Sequence, residues 1–238
     1  MTTLGRLKDW IGQRNGDGPH TAESVFLIGL GRFGSAMAAR LVELGVEVMA
    51  VDSDAELVNA WADRITHVRR ADATRAAVLD QLGATDFDAA VVAIGTGMEA
   101  SILSTAALVD VGCDNIWAKA MSDRHGRILE RVGAHRVVYP ERQMGERVAH
   151  LVTGQVVDYF QLEEGFVLAE IEAPAALHGM SLGEAGVRQE HGVTVVCIKP
   201  RGGLFTYATA ETVVGAGDLL LIAGTVDDAE RFAEYASS

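Results

Sequence analysis

The chain is poor in cysteine, in proline and in positive charge, and it lacks any long apolar run. Each shortage removes a class of explanation. Only two cysteines, Cys113 and Cys197, occur in 238 residues. They are far apart, with no Cys-x-x-Cys or mixed Cys/His spacing, so a disulfide framework and a zinc site are set aside and reduced, mostly buried thiols are expected. Four prolines argue against a Pro-rich linker. Twenty basic residues against 33 acidic ones give a net charge of -13, which excludes a general nucleic-acid grip, since that needs a basic face. No segment approaches the roughly 18 apolar residues of a membrane span. Residues 1–18 carry charges without an apolar core, so they are not a secretory signal, and a cytoplasmic location is expected.

What is present is a folded composition, with 49% apolar and 22% charged residues. The length allows one large domain or two modest ones. Leu4, Leu7, Trp10 and Ile11 fall at helical spacing, and 12–20 then reads as a turn-rich stretch. Residues 1–21 are expected to be a flexible extension, either a mobile tail or a docking helix.

From Ser24 the pattern becomes regular. Apolar segments at 25–29, 46–52, 67–70, 89–95, 116–120 and 136–139 read as strands. Helical patterns at 35–44, 55–62, 76–82, 100–111 and 122–132 separate them. Six strands alternating with helices predict an α/β fold, a Rossmann-type doubly wound parallel sheet buried on both faces, over 22–140. Pro140 ends the alternation. A helix over 141–153, with Met144, Val148, Leu151 and Val152 on one side, lies in a crossover and hinge segment spanning 141–160. Strands at 166–173, 193–199 and 217–224, a short helix at 181–187 and a closing helix at 227–235 make a small α+β C-terminal domain over 161–238. A domain this small is expected to dimerise to complete its core.

The sharpest local signal is Gly29-Leu30-Gly31-Arg32-Phe33-Gly34. A strand precedes it, a helix follows, and Asp52 ends the next strand, 21 positions beyond Gly31. Gly29 permits the tight turn, Gly31 lets the backbone approach phosphates, and Gly34 seats the helix on the strand, so that the first helical amides face an anion. Asp52 is expected to accept from ribose hydroxyls, which disfavours a 2'-phosphate. Ser53 adjoins it. Arg32 either reaches a di- or triphosphate oxygen or stands in solvent. Asp72, Ala73 and Thr74 after the third strand either close on adenine or simply connect, as do Gly95 and the residues following it after the fourth. Lys119 ends the fifth strand on the same edge and either touches phosphate or is exposed. Glu141 follows Pro140 just past the last strand, where a carboxylate could hold a cation beside a phosphate, though the sequence alone does not single it out. Among the seven histidines no catalytic pair or metal motif appears, and neither a serine elbow nor a GxxxxGK loop occurs. Nucleotide binding without visible chemistry favours a sensor over an enzyme.

Taken together, the GLGRFG turn, Asp52, Asp72-Ala73-Thr74, IWAKA ending at Ala120, Tyr139-Pro140-Glu141 and the later GDLLLIAG run are similar to the RCK or KTN family. These are cytosolic regulators of bacterial potassium transporters and channels, and the chain resembles the KtrA-like and TrkA-like members over about 23–238. The resemblance implies a non-enzymatic regulatory subunit. It implies a homodimer assembling into a ring, commonly an octamer, that presses on a membrane potassium-translocating subunit and so sits at the inner face of the cell membrane. It implies ATP and ADP, or NAD and NADH in some members, competing for the Rossmann cleft. In that reading Arg32 reads phosphate, Asp52 reads ribose, and Glu141 binds Mg²⁺, Ca²⁺ or Na⁺ near the γ-phosphate. Cyclic di-AMP in the C-terminal domain is implied for some relatives. The alternatives are an NAD-dependent oxidoreductase and a nucleotide-sensing regulator of another ion transporter.

Overall fold

A computed structural model describes residues 22–152, 157–163 and 165–236. The expected N-terminal extension lies outside the described residues. The chain divides into two compact units, Met1–Pro140 and Glu141–Ser238.

The first unit holds six strands: β1 (Ser24–Ile28), β2 (Glu47–Asp52), β3 (His67–Arg70), β4 (Ala89–Val92), β5 (Ile116–Lys119) and β6 (Arg136–Val138). All pairings are parallel, and the order across the sheet is β3-β2-β1-β4-β5-β6. The helices between them are α1 (Arg32–Glu43), α2 (Ala55–Trp61), α3 (Ala76–Gln81), α4 (Met98–Val111) and α5 (Asp123–Val132). The central strands are apolar at nearly every position because both faces are covered. Phe26, Ile28, Val92 and Ile116 pack in one layer, and Val25, Leu27, Val48 and Ala50 in the other.

This is the doubly wound order in which the direction of winding reverses between β1 and β4. The loops leaving those two strands are therefore splayed apart at their carboxyl ends, and a crevice opens there. The expected helix at 35–44 begins three residues earlier, at Arg32, which brings Arg32, Phe33 and Gly34 of the glycine motif into the first helical turn.

The second unit opens within α6 (Pro140–Val152), at Glu141. A five-stranded sheet of order β10-β9-β11-β8-β7 follows, with every pair antiparallel: β7 (Asp158–Glu163), β8 (Phe166–Glu172), β9 (Thr194–Lys199), β10 (Thr206–Tyr207) and β11 (Leu219–Thr225). The short helix expected at 181–187 is two helices, α7 (Leu182–Ala185) and α8 (Val187–His191). Gly186, at φ 55°, breaks between them in the left-handed region. Ser181 and Glu184 form a reciprocal capping box at the first. The closing helix is α9 (Val226–Ala236), and Phe232 from it joins Val167, Ile171, Leu220 and Ile222 in the core. β7 occupies part of the expected hinge and was not anticipated, nor was β10. Both cysteines are free thiols, and both are half-buried where burial was expected.

Candidate functional site

The site grows from the turn after β1. Gly29 adopts φ 102°, a backbone state that side chains disfavour, and its amide donates to the Val51 carbonyl at 2.8 Å. Gly34 is required for a different reason: a Cβ there would overlap the carbonyl oxygen of Gly29. The bare Gly34 lets α1 start directly against the turn. Gly31 occupies the N-cap position with no side-chain cap, and the first turn of α1 carries no acidic residue. Its leading amides are thus left for an anion, with the positive end of the helix dipole behind them. Ser35 steadies the turn, its hydroxyl donating to the Leu30 carbonyl at 2.5 Å.

Asp52 stands at the end of β2. Its Oδ2 accepts from the Leu30 amide at 2.7 Å and its Oδ1 from the Asp54 amide at 2.9 Å. Each oxygen keeps a second lone pair for a ligand hydroxyl. Asp54 caps α2 through the Glu56 amide at 2.8 Å. Beside it, after β3, Asp72 folds its own loop: Oδ1 accepts from the Thr74 hydroxyl at 2.6 Å and the Thr74 amide at 3.1 Å. These bonds, the hydroxyl first, hold the Asp72 carboxyl below its ordinary value.

Gly29, Gly31, Asp52, Ser53, Asp72, Ala73, Thr74 and Gly95 together line one cleft of about 380 Å³ at the switch point. This lies within the range of small-ligand sites. The remaining sequence-derived candidates fall outside its lining. Arg32 is exposed at the start of α1. Phe33 is half-buried, and Gly34 is buried beneath the turn. Lys119 is neither exposed nor part of the lining: at 5% exposure it is buried. Its Nζ lies 5.6 Å from the centroid of the Phe33 ring and 3.1 Å from where a Gly95 Cβ would stand. A buried ammonium beneath both the β1 and β4 turns places positive charge behind the anion-facing amides.

Glu141 belongs to the second unit, in the exposed first turn of α6. Among the described residues no group of three metal-ligating side chains occurs. The cleft also recruits Asp54, Leu57, Ala100 and Ser104, which were not selected from the sequence. Asp54 could have been found as an N-cap before a helical pattern. Ala100 and Ser104 lie within an apolar helix and carry no sequence signal of their own. The lining contains no His, Cys, Lys or Arg.

These features define a protein of the Rossmann class with an anion-facing cleft at its switch point, followed by a small antiparallel α+β unit. Residues 25–140 match the TrkA-N domain family and residues 166–237 the TrkA-C domain family. Over 207 residues the chain is 40% identical to the Ktr system potassium uptake protein C of Bacillus subtilis, covering 87% of this chain and 94% of that protein. It is 36% identical, over 87% and 93% respectively, to the Ktr system potassium uptake protein A of the same organism. The chain therefore belongs to the RCK family of TrkA-N/TrkA-C proteins that includes these potassium uptake proteins. Among solved structures, the GsuK RCK domain aligns with a TM-score of 0.50 at 24% identity. That alignment covers 93% of this chain and 48% of that one, so this chain spans about half of that structure's length, and the likeness shows the fold. Among the described residues no helix is long and apolar enough to cross a membrane.

Proposed function

We propose that this chain is the nucleotide-sensing regulatory subunit of a membrane potassium uptake system, and that it acts by binding rather than by turnover. The observation that carries the reading is the cleft itself. Uncapped helix-α1 amides lie at one end, and Asp52 is braced with spare acceptor capacity beside them. A preformed Asp72–Thr74 loop lines the same cleft, and no His, Cys, Lys or Arg is among the lining residues. That arrangement matches an adenine nucleotide with its phosphates at Gly31 and its ribose at Asp52.

ATP and ADP are the ligands assigned, with NAD and NADH as the alternative pair. Arg32 is assigned the terminal phosphate, and Glu141 a Mg²⁺, Ca²⁺ or Na⁺ ion that accompanies ATP. Regulation follows from differential affinity: a nucleotide shifts an assembly toward whichever arrangement binds it better, and one that binds both equally shifts nothing.

The assembly is assigned as a homodimer that builds an octameric ring against a potassium-translocating subunit at the inner face of the membrane. In support, Met144, Val148 and Val152 of α6 and Phe160 and Leu162 of β7 are exposed apolar side chains, an arrangement that seeks a protein partner. Cyclic di-AMP is retained as a ligand of the C-terminal unit, where a groove of about 340 Å³ carries Arg188 beside Thr194 and Thr209.

Calorimetry against ATP, ADP, NADH and NAD, with and without Mg²⁺ or Ca²⁺, tests the reading. Tight ATP and ADP binding, with only ATP depending on the cation, supports it. Preference for NADH moves the protein to redox sensing and reopens the NAD-dependent oxidoreductase, which a spectroscopic hydride-transfer screen would expose. Nucleotide binding without any effect on a co-expressed potassium transporter would point to a regulator of another ion transporter.

A further inference from the structure

Phosphate and ribose binding leave one group in the cleft unexplained. Ser104 of α4 lines it, is 0% exposed, and its Oγ has no hydrogen-bond partner. Native proteins rarely leave a buried hydroxyl unpaired. The usual remedy in a helix is a bond back to the carbonyl four residues earlier, and α4 uses it one position on: the Thr105 hydroxyl donates to the Ser101 carbonyl at 2.8 Å. Ser104 does not.

The layout of the cleft says what the hydroxyl awaits. Gly29 and Gly31 mark the phosphate end, and Asp52 marks the sugar. Ala71, Ala73 and Thr74 after β3 and Ala100 and Ser104 from α4 line the same cleft. Gly97, Ala100 and Ser104 share one face of that helix, running inward from its N-terminus. The Thr74 hydroxyl is already committed to Asp72. This part of the lining is therefore a slot of small apolar side chains with one uncommitted buried hydroxyl. A flat heteroaromatic ring with a polar edge is its complement.

Resting on the reading of this cleft as a nucleotide site, we infer that Ser104 reads the base: its hydroxyl hydrogen-bonds the heteroatom edge of the purine. A hydroxyl both donates and accepts, so it detects that a polar ring edge is present, whichever purine carries it. The same contact serves ATP, ADP and the adenosine half of NAD.

The test uses the purified full chain, the variants Ser104→Ala and Ser101→Ala, and two probes, ADP and ribose 5-phosphate, the latter lacking a base. Ser101 is the control: it is equally buried, its Oγ also lacks a partner, and it lies outside the cleft lining. Removing an unpaired buried hydroxyl leaves the ligand-free protein as stable or more stable. The ligand-free melting temperature of Ser104→Ala is therefore expected to be unchanged or raised, while ADP binds roughly tenfold more weakly. Competition by ribose 5-phosphate stays as in the unmodified protein, and Ser101→Ala binds ADP normally.

Three results each overturn the assignment: a lowered ligand-free melting temperature in Ser104→Ala, unchanged ADP affinity, or parallel loss of ADP and ribose 5-phosphate. Equal weakening by Ser101→Ala does the same. If the unmodified protein binds no adenine nucleotide at all, it is the reading of the cleft that fails, and the base contact goes with it.

Discussion

The backbone amide of Leu30 donates to Oδ2 of Asp52 at 2.7 Å, which ties the glycine turn of β1 to the acid at the end of β2. The other oxygen of Asp52 holds the Asp54 amide, so one carboxylate closes two turns that border the same cleft. Asp52→Ala should therefore act twice. Urea unfolding should show a loss of about 1–3 kcal/mol, since two amides lose their acceptor. Calorimetry should show nucleotide affinity at least about tenfold lower. A variant that loses affinity at unchanged stability would mean that the two amide bonds carry little of the turn.

Gly31 and Gly34 are three residues apart in one motif and should respond oppositely to a single methyl group. A Cβ at Gly34 collides with the Gly29 carbonyl oxygen, whereas one at Gly31 meets no atom within 4 Å. Gly34→Ala should destabilise the unit by about 1–3 kcal/mol through overpacking. Gly31→Ala should melt like the unmodified protein and still bind nucleotide weakly, because its methyl group stands where phosphate would approach. Thermal melts with and without ADP separate the two outcomes.

The Rossmann half was legible because its signals are local and redundant. Val25–Ile28 and Ala89–Val92 are continuous apolar runs, each followed by glycine-containing turns, and only a strand buried on both faces needs such a run. Asp52 and Asp72 were legible because they follow strands at the ligand-binding edge. What escaped depends on long-range pairing. β7 is half polar by composition, and it becomes a strand through its pairing with β8, where Tyr159 lies opposite Ala169. β10 is two residues long and exists only against β9.

Lys119 and Ser104 escaped for a related reason. A lysine at a strand end reads as touching phosphate or as exposed, and its burial, with the Phe33 ring and Gly95 close by, depends on tertiary packing. A serine within an apolar helix reads as a neutral filler, and only the tertiary placement of α4 turns it toward the cleft.

Arg32 stands outside the lining of the cleft in its own chain, so its assigned role concerns the far phosphate rather than the adenosine. Arg32→Ala should lower the preference for ATP over ADP by about tenfold, the scale of one hydrogen bond to a charged group, while ADP affinity and the melting temperature hold. Calorimetry with both nucleotides reads the ratio. Equal losses for ATP and ADP would remove terminal-phosphate recognition from Arg32.

His125 gives the fold a pH dependence that can be isolated. It is fully buried in α5, and its Nδ1 accepts from the Met121 amide at 3.3 Å. That bond assigns the ring proton to Nε2, which has no partner. Burial pushes the pKa below the ordinary histidine value of 6.5. In the unfolded chain the ring gains a proton as the pH falls through 6.5, whereas in the native protein it stays neutral until the lowered value is reached. Across that window the unfolded state binds more protons, so stability is full above 6.5, falls as the pH drops, and levels off once the native ring is charged. The slope from one such group is at most about 1.4 kcal/mol per pH unit. In His125→Gln the amide oxygen can still accept from Met121 while nothing titrates. The difference in unfolding free energy between the two proteins should therefore shrink as the pH is lowered from 7.5 through 6.5, to the cost of the native protein. A difference that stays constant with pH would show that the native ring protonates as readily as the unfolded one.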